Sequence, residues 1–212
     1  ALPISNLNPE ESYQLDAGIH WGNDRLTIQF DPYLNYFPNY IYMNPTPNYY
    51  EGLQWYYYTQ SRVIRCGFEL QADWKILPSL SAEFKGEYLY AEQLSGEKKG
   101  YTLPFSTPWS ADATLRYAFC RKNVGNEGFV AMNMHVTGRQ NNIVPPEKPT
   151  PGYYTLNLTA GKDFAFGERT LRLSLNAENL LNRKYYDHTS FYRLIDVPEP
   201  GRNVALMATF EF

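Results

Sequence analysis

The stretch Asn203-Val204-Ala205-Leu206-Met207-Ala208-Thr209-Phe210-Glu211-Phe212 places Val204, Leu206, Ala208, Phe210 and Phe212 on one side of an extended chain. Asn203, Ala205, Met207, Thr209 and Glu211 fall on the other. Successive side chains of a β-strand point to opposite faces, so this pattern marks a strand lying between an apolar and a wetter phase. The same period recurs upstream. Leu171, Leu173, Leu175 and Ala177 oppose Thr170, Arg172, Ser174 and Asn176, and Ile64, Cys66, Phe68, Leu70, Ala72 and Trp74 oppose Arg65, Glu69, Gln71 and Asp73. Read this way, the chain holds about nine strands, near 11–21, 25–34, 60–75, 79–90, 110–119, 128–138, 153–164, 169–180 and 201–212. Each is about 10–16 residues long, against a mode of about 5–6 in ordinary globular sheets. Ten residues at about 3.3 Å, tilted about 45°, rise roughly 23 Å, close to the apolar band of an outer-membrane barrel, about 25 Å. The expected fold class is all-β: a segment of an antiparallel transmembrane β-barrel.

The connections support that reading. Gly22-Asn23-Asp24, Leu77-Pro78, Arg121 to Glu127 and Ala165 to Glu168 are short, whereas 35–59, 91–109, 139–152 and 181–200 are long. Strict alternation of short and long sorts the connections onto two rims, as a barrel does with periplasmic turns and extracellular loops. The last strand then runs downward and ends on the short-turn side. An odd number of antiparallel strands cannot close on itself with every neighbour antiparallel, and bacterial single-chain barrels have even strand numbers. Ala1 to Glu11 show neither a basic n-region nor an apolar h-region, so no signal peptide is expected in this stretch. Residues 1–212 are therefore expected to be the C-terminal portion of a barrel domain, with earlier strands lying upstream.

Composition narrows the function classes. No run of about 18 apolar residues is present, so no transmembrane helix is expected. The mean hydropathy of −0.50 fits a barrel in which every second residue meets a wet lumen. Aromatics make up 17%, with 19 Tyr, a surplus suited to interfacial girdles. Net charge is −3 with no basic cluster, which argues against nucleic acid as a partner. Cys66 and Cys120 are too few for a disulfide framework, and both are expected to be free, with a bridge between them as the lesser alternative.

No catalytic constellation and no metal site stand out, and no cofactor is implied. His20 and His135 fall on lumen-facing positions. Asp187, His188 and Ser190 are sequence neighbours, which rarely form a working triad. No His-x-His or His-x-x-x-His spacing exists. The most unusual stretch is Tyr33 to Tyr58, which carries nine of the tyrosines plus Phe37 and Trp55. Its rings, Tyr36 and Tyr57 among them, either build a ligand platform or form the outer girdle and the packed base of a loop. Arg139 would face either an anionic ligand or a wall carboxylate, and His188 lies in the last long loop as a further ligand candidate. Arg65, Glu69, Asp73, Glu83, Lys85, Glu87, Arg116, Arg172 and Glu178 line the lumen with both signs of charge.

Several segments carry a family likeness. Asn176-Ala177-Glu178-Asn179-Leu180-Leu181-Asn182-Arg183-Lys184-Tyr185 resembles the "veNLfdkkY" segment of TonB-dependent outer-membrane receptors. Pro198-Glu199-Pro200-Gly201-Arg202-Asn203 is similar to the "P-x-P-G-R" that opens their last strand, and Phe210-Glu211-Phe212 resembles their aromatic ending. Leu7 to Ser12 followed by Ala17-Gly18, and Gly67-Phe68-Glu69, resemble mid-barrel strands of the same family. The resemblance implies a plugged barrel of about 22 strands, of which this chain is the last nine or so. It implies active uptake of a scarce nutrient at the outer membrane, with a ferric siderophore leading and haem, cobalamin, copper and glycan open. A passive porin is the alternative. The implied partners are the TonB complex, through an N-terminal region absent here, the lipid bilayer, and a small-molecule or chelate ligand. Asn179, Pro200, Gly201, Arg202 and Phe212 would serve barrel closure and recognition by the outer-membrane assembly machinery.

Overall fold

The alternation builds one antiparallel sheet in the computed structural model, which describes residues 7–119 and 127–211. Its strands are β1 (Tyr13–Asp16), β2 (Ile19–Gly22), β3 (Leu26–Tyr50), β4 (Leu53–Leu77), β5 (Leu80–Gln93), β6 (Ser110–Phe119), β7 (Gly128–Thr137), β8 (Tyr153–Phe166), β9 (Arg169–Glu178) and β10 (Asn203–Glu211). Each pairs with the next in sequence, except that β1 and β2 both pair with β3. These two are halves of one strand interrupted at Ala17-Gly18, and the Ala17 N–H still donates to the Pro32 carbonyl at 3.1 Å. Nine strand positions therefore stand side by side, in the order expected from the sequence. Phe212 and Cys120 lie outside the described residues, and Cys66 is a free thiol.

Register carries the two-faced pattern across the whole sheet. Leu26, Trp74, Ala82, Leu115, Met132, Leu158, Ala177 and Val204 form one continuous cross-strand row. One residue along, Thr27, Asp73, Glu83, Thr114, Asn133 and Asn157 form a polar row on the opposite face. The apolar face is exposed: Trp21, Leu115, Met132 and Leu206 are all more than 45% accessible. An apolar area of this extent is the mark of a surface made for something other than water. The polar face carries wall ladders. Arg172 meets Asp163 through two hydrogen bonds of 2.9 and 3.2 Å, Lys85 pairs with Glu83, and the Arg116 guanidinium lies 3.6 Å from the Phe129 ring centre.

One expectation needs correction. Residues 35–59 do not form a long loop. β3 and β4 each run 25 residues and meet at a two-residue turn, Glu51-Gly52, both with positive φ (50° and 81°). That is the geometry that matches strand twist in a tight hairpin. Twenty-five residues extend roughly 80 Å, so about half of this hairpin stands clear of any membrane band. Two prolines of β3 are placed where a strand tolerates them. Pro38 lies inside the register shift between Phe37 and Tyr40, and Pro47 inside that between Pro45 and Tyr49. At a bulge a missing N–H breaks no ladder bond.

Gly67 shows how tightly the polar face is packed. A Cβ there would collide with the Tyr88 carbonyl oxygen and approach the Tyr33 hydroxyl to 2.6 Å. The Tyr33 ring thus lies across the strand where no side chain stands. Gly67→Val is expected to destabilise the wall by about 1–3 kcal/mol through overpacking. The check is the temperature at which the folded barrel converts to the unfolded band on semi-native gels, which should fall.

Candidate ligand chamber at the loop rim

Packing on this sheet concentrates at one rim. Three connections, 94–109, 138–152 and 179–202, cover the polar face there, and most fully buried side chains belong to them or to the strand ends beneath. Tyr42, Val63, Ala91 and Leu103 form a small core, with Phe37 and Tyr40 against it. The polar groups of Tyr42 and Gln93 beside it are hydrogen-bonded. The Tyr42 hydroxyl donates to Gln93 Oε1 at 2.5 Å, and Gln93 Nε2 donates to the Thr102 carbonyl at 2.7 Å. Gln93 therefore ties the hairpin to the first connection from a fully buried position.

A buried ion pair staples all three connections. Arg193 donates to Glu147 Oε1 at 2.7 Å, with side chains 5% and 1% exposed. The same oxygen accepts the Phe105 N–H at 3.1 Å, and Arg193 Nε donates to the His188 carbonyl at 2.6 Å. Phe105 sits at φ 55°, a left-handed conformation costing a non-glycine residue about 1–3 kcal/mol. It is held there by this bond, by the Phe191 ring at 4.5 Å and by the Arg193 guanidinium at 5.1 Å. Arg193 belongs to a short 3-10 helix, Phe191–Ile195, capped by Ser190, whose hydroxyl accepts the Tyr192 N–H.

Beneath Phe105 lies a chamber of about 300 Å³. Its walls are Tyr40, Tyr42 and Met43 of the hairpin, Arg65 of β4, Leu89 and Ala91 of β5, and Leu103 to Thr107 of the first connection. Arg65 is half-buried between Asn35 and Ala91. Its Nε is buried and bonds to nothing among the described residues, and its guanidinium has no carboxylate partner there. Two residues further down the same face, Tyr33 and Leu89 flank Gly67, and next comes a row of three carboxylates, Asp31, Glu69 and Glu87. Among the described residues no group of His, Cys, Asp or Glu is arranged to hold a metal ion.

The sequence-derived candidates scatter around this chamber. Tyr36 pairs with Tyr13 and Ile64 on the apolar outer face, its ring 6.4 Å from that of Tyr13, and so belongs to the girdle. Tyr57 is half-buried, accepting from Asn44 at 2.6 Å and donating to Glu97 at 2.9 Å. Arg139 is exposed and pairs with no carboxylate among the described residues. His188 is 2% exposed, its Nδ1 3.0 Å from Thr150 Oγ1 and its Nε2 unpartnered. Asp187 accepts from Tyr153 at 2.8 Å and from Thr189, and Ser190 caps a helix, so these neighbours form no triad. The closure motif is a clasp. Asn179 bonds to Asn157, Arg183 and the Pro200 carbonyl, and Asn182 Oδ1 accepts the Arg202 N–H at 2.9 Å. A Cβ on Gly201 would come within 2.8 Å of that oxygen. Arg65 stood in the sequence as one lumen charge among nine, and Glu147, Arg193 and Phe105 gave no local signal because they meet only across 42 to 46 residues of chain.

This is the wall and mouth of a transmembrane β-barrel. The TonB dependent receptor-like, beta-barrel family model matches residues 1–180, and the chain belongs to that family, whose members are outer-membrane proteins. Solved structures share the fold at low identity. The copper transporter OprC superposes with a TM-score of 0.77 at 19% identity, over 94% of this chain and 31% of that one. The unliganded ferric citrate transporter FecA gives 0.70 at 19%, over 95% and 31%. BauA, the ferric preacinetobactin receptor from Acinetobacter baumannii, gives 0.70 at 13%, over 95% and 29%. The chain thus spans about a third of the length of the structures it matches.

Two tests follow from the staple. Arg193→Met leaves the Glu147 carboxylate buried without its partner and is expected to cost about 3–5 kcal/mol of local stability. The double change with Glu147→Leu should recover part of this, since no uncompensated charge remains; the rate of protease cleavage within 94–109 and 179–202 reports both. Burial pushes the His188 pKa down to about 4, and the adjacent Arg193 charge adds to the depression. The folded loop therefore holds His188 neutral, while the opened loop protonates it near the ordinary 6.5. The stability this contributes is complete above 6.5 and is lost as pH falls from 6.5 toward 4. Amide exchange across 186–193, corrected for its intrinsic pH dependence, should accelerate over that window in the wild type and show a flatter profile in His188→Gln.

Proposed function

We propose that this chain forms part of the wall and mouth of a bacterial outer-membrane receptor that imports a ferric siderophore or a similar iron chelate. The observation that carries the reading is the chamber at the loop rim, where aromatic rings and one guanidinium without a carboxylate partner among the described residues converge on the lumen side of a barrel of this family. Rings bind a flat conjugated ligand by dispersion, and the cation suits the anionic oxygens of a chelator. Transport itself is energised by the TonB complex acting on a plug, which the rest of the receptor supplies along with the remaining strands. The last strand and the clasp at Asn179, Pro200, Gly201 and Arg202 serve closure and recognition by the assembly machinery, and Phe212 belongs to the same signature. Sulfur is sparse at the chamber: Cys66, Met132 and Met134 sit in outer-face rows, beside Leu34, Leu115 and Ala113, Met207 lies across from Ser174, and Met43 alone of these five lines the chamber, where a single thioether makes a poor copper site.

A strain deleted for the full-length receptor, given single iron, haem, cobalamin or copper sources, is expected to lose growth on one ferric chelate. Growth should return with the receptor and vanish again when the proton gradient is collapsed. Gradient-independent leakage of unrelated small solutes would instead mark a passive channel, and a defect confined to cobalamin, haem or copper would reassign the cargo.

A further inference from the structure

The placement of charge around the chamber reaches past the general class of ligand. Arg65 carries a fixed charge, is half-buried and has no carboxylate partner among the described residues. Its Nε is fully enclosed without a hydrogen bond. A buried N–H left unmade costs the full loss of hydration, and a half-buried cation without a counter-ion costs more. The arrangement is favourable once an anionic group meets the guanidinium. The planar fork matches a carboxylate, with two parallel N–H donors for two oxygens. Around it, Tyr40, Tyr42 and Phe105 present ring surface, and the Tyr42 hydroxyl is already used by Gln93.

The row below sets an upper limit on charge. Asp31, Glu69 and Glu87 lie directly across from one another on three strands of the same face. They begin about 13 Å from Arg65, four residues down the strand at about 3.3 Å each. Lys85, the nearest lysine on that face, is held by Glu83. Asp31 and Glu87 each accept one neutral donor, from Gln29 and Ser110 respectively, which leaves their charge in place. A ligand descending past Arg65 thus meets one positive site and then a band of negative potential, in a wall where screening is weaker than in bulk water.

We propose that Arg65 is the anion subsite of this receptor for a ligand bearing a single carboxylate-type group on a flat aromatic body, and that the Asp31–Glu69–Glu87 row selects against polyanionic chelates. The inference rests on the receptor reading above and names the charge class of its ligand. The expected behaviour is preference for a monoanion over both its neutral amide and a trianion of similar size.

The test uses the full-length receptor in lipid nanodiscs, with 2-hydroxybenzoate, 2-hydroxybenzamide and benzene-1,3,5-tricarboxylate as probes in saturation-transfer NMR titrations. The monoanion should bind at least about tenfold more tightly than the amide, and the tricarboxylate no more tightly than the monoanion. Arg65→Gln should bring acid and amide to equal affinity while the barrel keeps its heat-modifiable gel shift, since the Arg65 side chain makes no ion pair among the described residues whose loss would unfold the wall. Phe105→Ala should weaken both aromatic probes in parallel. A second change, Glu69→Gln with Glu87→Gln, should improve the tricarboxylate alone. Equal binding of acid and amide by the wild type would overturn the subsite, and is also what a carboxylate from elsewhere in the receptor already seated on Arg65 would produce. Tightest binding of the tricarboxylate would overturn the charge limit. The growth experiment fails separately: discrimination by Arg65 with a cargo other than iron removes the iron reading and leaves the subsite, and iron uptake without discrimination does the reverse.

Discussion

A peptide N–H or C=O inside hydrocarbon has no water to bond, and each one left unpaired costs several kcal/mol. That constraint governs this chain from Tyr13 to Glu211. It requires that neighbouring strands share a ladder, and each strand from β3 to β10 is laddered to the next, with register shifts in the β3–β4 pair and near Lys75. It leaves each side chain two choices, lipid or lumen. The row from Leu26 to Val204 and the row from Thr27 to Asn157 are those choices repeated across the sheet. It also explains where the rule relaxes. The prolines of β3 at positions 38 and 47 occupy register shifts in the part of the hairpin that stands beyond the apolar band, where water replaces a lost ladder bond.

Above the band the problem changes. The connections have no lipid to order them and little apolar surface to bury, so they hold together through enclosed polar groups. The Glu147–Arg193 pair is a poor source of net stability, because desolvating two charges offsets much of their attraction. Its value is geometric. One carboxylate oxygen fixes Arg193 and the Phe105 N–H together, and Arg193 in turn fixes the His188 carbonyl. Three segments far apart in sequence are thereby set in one arrangement, with Phe105 held in a conformation it would not adopt alone.

This division also decides what the sequence could disclose. The strands were legible because lipid enforces period two residue by residue: 110–119 agrees with β6 at both ends, and most other boundaries fall within a few residues. The hairpin was missed because its outer half leaves the band, where Tyr and Pro replace the alternating pattern and local propensity points to a loop. The clasp of Asn179, Gly201 and Arg202 was legible as a motif, although only the geometry shows that Asn182 is the side chain Gly201 must clear. The chamber was not legible. Phe105, Glu147 and Arg193 are unremarkable in their own neighbourhoods, and nothing in the last long loop signals that His188 is buried against Thr150.

Three carboxylates abreast at Asp31, Glu69 and Glu87 are an arrangement that a sheet ordinarily avoids, since like charges directly opposite destabilise strand pairing. The wall accepts them because their face is hydrated, which lowers the repulsion, although less than bulk water would. The same wetness fails one level higher. There Phe105 and Leu103 line the chamber over the strands, and Arg65 loses water from its Nε without gaining a carboxylate among the described residues. Moving Arg65 four residues down the strand would have paired it and removed both anomalies at once. Among the described residues the wall instead keeps an unneutralised cation at a half-buried position whose Nε is enclosed, and unneutralised anions at better hydrated ones. That separation makes physical sense if the cation's partner arrives from outside and the anions are there to limit what passes with it.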